Sequence, residues 1–365
     1  MCRKGKELSL RDRYFIEKSL KRGLSVKEIS GVLGVTRACL YYEIRKGTVV
    51  QMDTHLRECK VYKADYAQMK TATNVANRGR KVKYGSDSSL LCDICDCLRK
   101  KYSPYASIVL CGADGCICEK TIYNYVRSGR LPGITYLDLP YMKKAKKSNV
   151  KPAKIVVPKE YSIENRPKEI SKRDSFGNWE MDTVYSAKDN LSALLVLTER
   201  KTRAEMVLSI RRRTSEEVRL ALVRIEKRLG TKTFRKVFQT ITSDNGVEFK
   251  RYDDLERSMY SSHNRTKLYY AHPYCSGERG SNENQNRMIR RWIPKGDDIG
   301  MYSRAEIEDI CSWMNTYPRK MFNGKSSIEM MMDDLTVGNF SQTEISKILE
   351  ICNCDYSCFT NLSRE

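Results

Sequence analysis

The sequence predicts an all-α region at its N-terminal end and a mixed α/β domain in its second half. Three observations lead to this prediction. Short amphipathic stretches separated by turn residues fill positions 8–47, strand-like patterns fill positions 178–210, and an amphipathic helix pattern follows at 215–230. Residues 131–173 hold five prolines and little periodicity, so they predict a linker between the two regions.

The N-terminal pattern predicts three helices in a compact arrangement. Ser9 is a suitable cap for a helix that ends at about Arg22, and Ser25 is a suitable cap for a second helix over 26–33. Gly34-Val35-Thr36 then turns the chain into a third helix over 37–45. This spacing is typical of a helix-turn-helix, with a helical hairpin that serves packing alone as the alternative. In the first case four side chains face a DNA groove: Arg37, Tyr41, Tyr42 and Arg45.

The charge balance favours a polyanionic partner. The chain has 67 Lys and Arg against 45 Asp and Glu, which gives a net charge of +22. Twelve basic and four acidic residues lie between positions 130 and 173, and the lysine run there is predicted either to contact phosphate or to be a solvated linker: Lys143, Lys144, Lys146 and Lys147. Positions 331–365 are acidic, with six acidic and two basic residues.

The 14 cysteines do not predict a disulfide framework, because no export signal is recognisable and no stretch of about 18 apolar residues exists. We therefore expect thiols in a reducing compartment, a cytoplasmic location and no membrane partner. Residues 61–130 predict a second, helix-turn-helix-like region that contains a cysteine cluster. A thiol-rich helical stretch is the simpler interpretation, and a tetrahedral zinc site is the alternative, with these ligands: Cys92, Cys95, Cys116 and Cys118.

The second half follows the element order of a ribonuclease-H-like fold. Residues 178–186, 191–203 and 204–210 predict an antiparallel meander of three strands, and the helix at 215–230 follows it. Two short strands at 238–246 and 268–274 and a helix at 281–293 complete the order.

Three acidic residues occupy positions that this fold would bring together. Asp182 lies within the first strand, Asp244 at the end of the fourth, and Glu283 in the first turn of the late helix. Carboxylates are suitable ligands for Mg²⁺, and two such ions activate the attacking oxygen and stabilise the leaving oxygen in phosphodiester cleavage. Glu248 and Glu278 compete with Glu283 for the third position. Glu283 is preferred because Arg287 and Arg290 share its face of the helix and would meet a DNA phosphate. Arg291 and Lys295 are further predicted DNA contacts.

The sequence resembles the transposases of the insertion-sequence-thirty (IS30) family, which have an integrase-type catalytic core. The most specific matching stretches are RPKEISKRDSFGNWEMDTVYS at 166–186, TITSDNGVEF at 240–249 and AHPYCSGERGSNENQNRMIRRWIPKGDDI at 271–299. Further matches include the N-terminal residues 24–47, and together they cover most of positions 8–330. The expected regions are a helix-turn-helix domain at 1–60, the second helical region at 61–130, the basic linker at 131–173, the ribonuclease-H-like domain at 174–335 and an acidic tail at 336–365.

The resemblance implies a DDE transposase that binds the terminal inverted repeats of its element and cuts their 3′ ends. It would then join the freed ends to target DNA, using two Mg²⁺ ions, for which Mn²⁺ can substitute. The family's catalytic acids fall on Asp182, Asp244 and Glu283. The resemblance also implies at least a dimer on double-stranded DNA and association with the bacterial nucleoid. The alternatives are a DNA-binding regulator with a non-catalytic ribonuclease-H-like domain and a nuclease of the same fold that does not join ends.

Overall fold

A computed structural model of the chain describes residues 7–76, 88–140, 158–186, 191–272 and 280–354. The chain divides into two compact units, residues 1–83 and 84–365. The first unit therefore extends beyond the predicted boundary at residue 60. The second unit contains both the second helical region and the α/β domain, which the sequence analysis separated.

The first unit contains four helices and a β-hairpin: α1 (Leu10–Lys21), α2 (Val26–Leu33), α3 (Arg37–Gly47), β1 (Thr48–Met52), β2 (Glu58–Tyr62) and α4 (Ala64–Ala76). The first three helices lie where the sequence predicts them, and Ser9, Ser25 and Thr36 each cap one with a side-chain hydrogen bond. The hairpin and α4 were not predicted. Because α4 packs on both α1 and α3, residues 61–76 belong to this unit.

A buried ion pair lies inside the first unit. Arg13 Nε donates to Glu43 Oε1 at 2.7 Å, and both side chains are about 95% buried. The remaining Arg13 nitrogens donate to Leu8 O and to side chains of α4, namely Gln68 and Thr71. The pair therefore joins α1, α3 and α4 around an apolar cluster that includes Ile16, Ile29 and Leu40.

The second unit begins with helices that have an apolar core of their own: α5 (Ser89–Arg99), α6 (Pro104–Leu110) and α7 (Glu119–Arg127). Ser103 caps α6, as its position before Pro104 suggests. Tyr317 joins these helices to the rest of the unit. Its ring stacks on Tyr102, and its hydroxyl accepts a hydrogen bond from Ser103 N at 2.8 Å.

Part of the predicted linker is folded. Leu131, Ile134 and Leu139 are buried among α5–α7. A short helix, α8 (Lys168–Lys172), follows two 3₁₀ turns, and Tyr161 in the first turn donates to Asp253 at 2.9 Å. The prediction of one extended segment over 131–173 is therefore wrong for these residues, because apolar side chains spaced between the prolines pack on both neighbouring regions.

The rest of the second unit is built on a five-stranded sheet. Its elements are β3 (Asn178–Tyr185), β4 (Ala193–Glu199), β5 (Glu205–Ile210), α9 (Ser215–Leu229), α10 (Thr231–Val237), β6 (Thr240–Ser243), α11 (Tyr252–Glu256), β7 (Lys267–Tyr270) and α12 (Gly280–Trp292). The strand order is β5-β4-β3-β6-β7, antiparallel across the first three strands and parallel across the last three. This confirms the predicted meander and the mixed α/β class.

The two faces of β3 pack against different layers. Trp179 and Met181 point into the cluster that contains α9, whereas Val184 packs with Met288 and Ile289 of α12. Side chains alternate between the faces of a strand, so Asp182 is on the α12 side. The sheet therefore presents the predicted acidic residue of β3 to the late helix.

Three further helices close the unit: α13 (Arg304–Asn315), α14 (Ser327–Val337) and α15 (Gln342–Ile351). The prediction of an acidic tail from residue 336 is wrong for residues up to 354. Ile345, Ile348 and Leu349 recur at helical spacing and are buried in the main core, and Ser341 caps their helix. In the described part of the chain, no helix has both the length and the apolar character needed to cross a bilayer.

Candidate active site

The sheet brings the two strands that lead to the predicted aspartates side by side. Glu180 of β3 pairs in parallel with Thr242 of β6, and the pairing of these strands ends there. Asp182 lies two residues further along β3, and Asp244 directly follows β6. Neighbouring parallel strands are about 4.8 Å apart. Both aspartates therefore lie at the carboxyl edge of the sheet, on neighbouring strands.

Helix α12 runs alongside β3 and is fixed to it by polar contacts. Near the start of the helix, Asn282 N donates to Glu180 Oε2 at 3.2 Å. One turn later, Asn286 Nδ2 donates to Asp182 Oδ2 at 2.8 Å. The carboxylate of Asp182 is therefore oriented by α12. Asn286 is a site residue that the sequence analysis did not identify, although its i+3 spacing from Glu283 was a usable signal.

Glu283 lies on the same helix, one turn before Asn286, but its side chain is directed to solvent. Its carboxylate is 55% exposed and accepts from Arg287 Nη2 at 2.6 Å. Glu283 is thus on the helix that contacts β3, but its carboxylate is paired within that helix, so its part in a metal site stays a prediction. In the described residues, no three His, Cys, Asp or Glu side chains are arranged to hold one metal ion.

The basic residues predicted on α12 divide into two kinds. Arg287 and Lys295 are exposed. Arg290 donates to Tyr185 O at 2.8 Å, and Arg291 donates to Lys101 O at 3.0 Å, so both guanidinium groups are used within the fold. Contact with DNA phosphate therefore stays a prediction for Arg287 and Lys295, whose charged groups are exposed. The predicted linker contacts lie outside the described residues: Lys143, Lys144, Lys146 and Lys147.

Several oxygen atoms around the aspartates are buried without a hydrogen-bond partner. They are side-chain oxygens of Asn245, Glu248 and Asn286. Unpartnered buried oxygens are rare because their desolvation is unfavourable, and they are hard donors of the kind that Mg²⁺ selects. The donor chemistry at this edge therefore fits a divalent cation, provided that Glu283 leaves Arg287.

Glu248, which the sequence analysis considered as a rival for Glu283, is buried beside the turn that carries Asp244. Its Oε1 accepts from Thr183 Oγ1 at 2.6 Å and from Arg213 Nε at 2.5 Å. The roles of Thr183 and Arg213 were not predicted, because nothing in local spacing links residues 35 and 65 positions apart. Glu278, the other rival, lies outside the described residues.

The cysteine cluster does not form a zinc site. Cys95 is buried in the core of α5–α7, while Cys92, Cys116 and Cys118 are exposed. The structure instead places Cys97 Sγ 3.8 Å from Cys111 Sγ, and burial raises the pKa of Cys111 to about 12. Cys95 belongs to the apolar core, and in the described part of the chain these four cysteines are not grouped to hold a metal ion.

The predicted DNA-reading side chains of the first unit form an exposed row on α3. Arg37 and Arg45 are exposed, and Tyr41 and Tyr42 are 61% and 68% exposed. Leu40, between them in sequence, is fully buried. Two large aromatic rings left in solvent beside two arginines are unusual for a helix that serves packing alone.

Sequence comparisons place the chain among known proteins. It is 27% identical over 325 residues to the transposase for insertion sequence element IS4351 from Bacteroides fragilis, covering 86% of this chain and 92% of that protein. It is 29% identical to the probable transposase for insertion-like sequence element IS1161 from Streptococcus salivarius, covering 88% and 93%. It is 31% identical to the IS30C transposase InsI of Escherichia coli, covering 46% and 41%. No family model matches.

A comparison of structures finds the catalytic core domain of BIV integrase, with a TM-score of 0.34 and 16% identity over 45% of this chain and 98% of that one. At this distance the fold is better judged from the strand order of the chain itself.

A sheet of this order with an aspartate at the edge of each of two neighbouring strands, in a chain similar along most of its length to two transposases, defines an enzyme of the polynucleotidyl transferase class. Within that class the chain is an insertion-sequence transposase, and its similarity to the IS30C protein confirms the resemblance to the IS30 family that the motifs indicate.

Proposed function

We propose that the chain is a DDE transposase that binds the terminal inverted repeats of its own element, cuts their 3′ ends by hydrolysis and joins them to target DNA. The observation that carries this proposal is the position of Asp182 and Asp244 at the carboxyl edge of neighbouring strands, with α12 bound to Asp182 through Asn286. The regulator alternative is not favoured, because the similarity to two transposases covers most of the chain.

In this proposal Asp182, Asp244 and Glu283 hold two Mg²⁺ ions. When bound, the ions would activate the attacking oxygen and stabilise the leaving oxygen of the phosphodiester. The chain's own groups orient the site: Asn286 holds the Asp182 carboxylate, and Arg287 is exposed where a DNA phosphate would approach. A phosphate on Arg287 competes with Glu283 for the guanidinium and so releases the third carboxylate toward the aspartates.

The first unit would supply recognition of the repeats through α3, as a helix-turn-helix does. Its support is the exposed row of Arg37, Tyr41, Tyr42 and Arg45 over a buried core, together with the net charge of +22. We also propose that the enzyme acts as at least a dimer, because two ends of double-stranded DNA must be held together for joining. Phosphate contacts outside α3 would bind both the repeats and the target DNA without reading their sequence.

Incubation of a labelled repeat duplex with the full chain and Mg²⁺ tests the proposal. The duplex is taken from short inverted repeats on either side of the coding region. A transposase cuts the 3′ end and yields product joined to a second DNA. A regulator only shifts the duplex in a gel, and a nuclease nicks it without joining, so either result contradicts the proposal.

The double substitution Arg37→Ala with Arg45→Ala is expected to weaken specific repeat binding by at least about 30-fold, because each base contact of an arginine contributes about 1–3 kcal/mol and two contacts are lost. Binding to an unrelated duplex should fall much less. Gel-shift titrations of both duplexes measure the ratio. Arg57→Ala, on the same unit and outside α3, serves as the matched charge control. Equal weakening on both duplexes would remove α3 from sequence recognition.

A further inference from the structure

Glu248 is almost completely buried, with 1% of its side chain exposed. It lies just after the turn that follows β6, four residues beyond Asp244. Its Oε1 accepts two hydrogen bonds, one from Thr183 in β3 and one from Arg213, which lies between β5 and α9. Its Oε2 has no partner. A buried carboxylate is costly unless it is paired, so these contacts fix its position.

The unpartnered oxygen of Glu248 points toward the Asp244 turn. A Cβ placed on Gly246 would lie 2.6 Å from Glu248 Oε2 and 2.9 Å from Asp244 Oδ1, so both carboxylates border the space above this glycine. Gly246 N also donates to Asp244 Oδ1 at 2.9 Å. The turn therefore has room for the two carboxylates only because residue 246 has no side chain.

Thr183 directly follows Asp182 in β3, so the Glu248 carboxylate connects the strand that carries one aspartate to the turn that carries the other. Arg213 adds a charge to this connection. It is 40% exposed, and its guanidinium also lies 5.0 Å from the centre of the Tyr185 ring at the end of β3. Three chain segments at the carboxyl edge thus meet at one acidic side chain.

We propose that Glu248 is a positioning residue, which with Thr183 and Arg213 holds the Asp244 turn beside Asp182 and so sets the affinity of the site for divalent metal. This inference rests on the proposed function, because it concerns the same pair of aspartates. Removing hydrogen-bond partners that orient metal-binding groups commonly lowers metal affinity by about 10- to 100-fold.

A direct metal-ligand role for Glu248 predicts the opposite response to one substitution. If Glu248 bound the metal, removing the positive charge of Arg213 would leave a freer carboxylate and tighten metal binding. If Glu248 positions Asp244, the same substitution loosens the turn and weakens metal binding. Arg213→Met therefore separates the two roles by the sign of the change.

The experiment titrates Mn²⁺ into the full-length chain and measures free Mn²⁺ by electron paramagnetic resonance, alongside the melting temperature. Thr183→Val removes one hydroxyl at nearly constant volume, and Thr183→Ser retains it. Glu350→Gln is the matched control, because Glu350 also pairs with an arginine, Arg228, but both are about half exposed. We expect about tenfold weaker Mn²⁺ binding in Thr183→Val and Arg213→Met, and wild-type binding in Thr183→Ser and Glu350→Gln.

Tighter binding in Arg213→Met would overturn the proposal in favour of a direct ligand. A lower melting temperature with unchanged Mn²⁺ affinity in both variants would show a purely structural contact and would also overturn it. Failure of the wild-type chain to bind Mn²⁺ would instead overturn the metal site of the proposed function, and this inference with it. The Mg²⁺ concentration for half-maximal cutting should shift in the same order across the variants.

Discussion

Asp182→Asn is expected to lower Mg²⁺-dependent cutting of a repeat duplex by at least about 1000-fold while repeat binding stays unchanged. Asparagine keeps the shape of the side chain and can still accept from Asn286, but it removes the negative charge that would hold the metal. Loss of metal-assisted charge stabilisation corresponds to several kcal/mol in the barrier, and about 4 kcal/mol is a factor of about 1000. Single-turnover cutting and a gel shift of the same duplex measure the two effects.

The stability of Asp182→Asn separates loss of chemistry from loss of fold. Asp182 is only partly buried and asparagine can still accept from Asn286, so this substitution should leave the melting temperature nearly unchanged. Asp309→Asn, an exposed acid on α13, is the matched control and should cut normally. Retained Mg²⁺-dependent cutting in Asp182→Asn would exclude Asp182 from the reaction.

Glu180→Ala is expected to lower the free energy of unfolding by about 3–5 kcal/mol, the usual result of removing one partner of a buried ion pair. Glu180 and Arg200 form an ion pair in which both side chains are at least 97% buried. Burial lowers the pKa of Arg200 to about 10, and the charge of Glu180 opposes this effect. Glu180 also accepts from Ser281 Oγ and Asn282 N, so its loss should free the first turn of α12, which carries Glu283.

Urea unfolding of Glu180→Ala and of the double variant Glu180→Leu with Arg200→Met checks this prediction. The double variant replaces both charges with apolar groups, so most of the lost stability should return. Neither leucine nor methionine can accept a hydrogen bond from Asn282 N. Cutting should therefore remain impaired even in the stable double variant. Arg304→Ala breaks an exposed pair with Glu308 and should cost less than about 1 kcal/mol. A similarly small effect for Glu180→Ala would refute the anchoring role.

The elements around the site could be predicted from the sequence because each has a strong local signal. The period-two pattern before Tyr185, the amphipathic run after Thr214 and the glycine at 230 fixed β3 and α9 to within a residue or two. Thr214 caps α9, directly before the predicted first residue of the helix. That Asp182 and Asp244 lie on neighbouring strands could be expected, because fold order determines which strands are neighbours.

Side-chain partners could not be predicted in the same way. Arg290 donates to the Tyr185 carbonyl and Arg213 to Glu248, and both contacts depend on tertiary geometry. From the sequence alone, an arginine at either position suggests a phosphate contact. Similarly, a net negative charge near the C-terminal end concealed the apolar spacing of Ile345 and Ile348. Charge totals average over a segment, whereas packing depends on individual faces of a helix.

The ion pair between Glu283 and Arg287 has a consequence for how the proposed metal site would assemble. An exposed i,i+4 pair is worth only about 0.3–0.5 kcal/mol, so it is easily exchanged when a stronger anion reaches the arginine. A preference this small keeps Glu283 on Arg287 only slightly more often than not. In the proposed function, the third carboxylate would therefore become available to the metal ions without a slow rearrangement of the backbone.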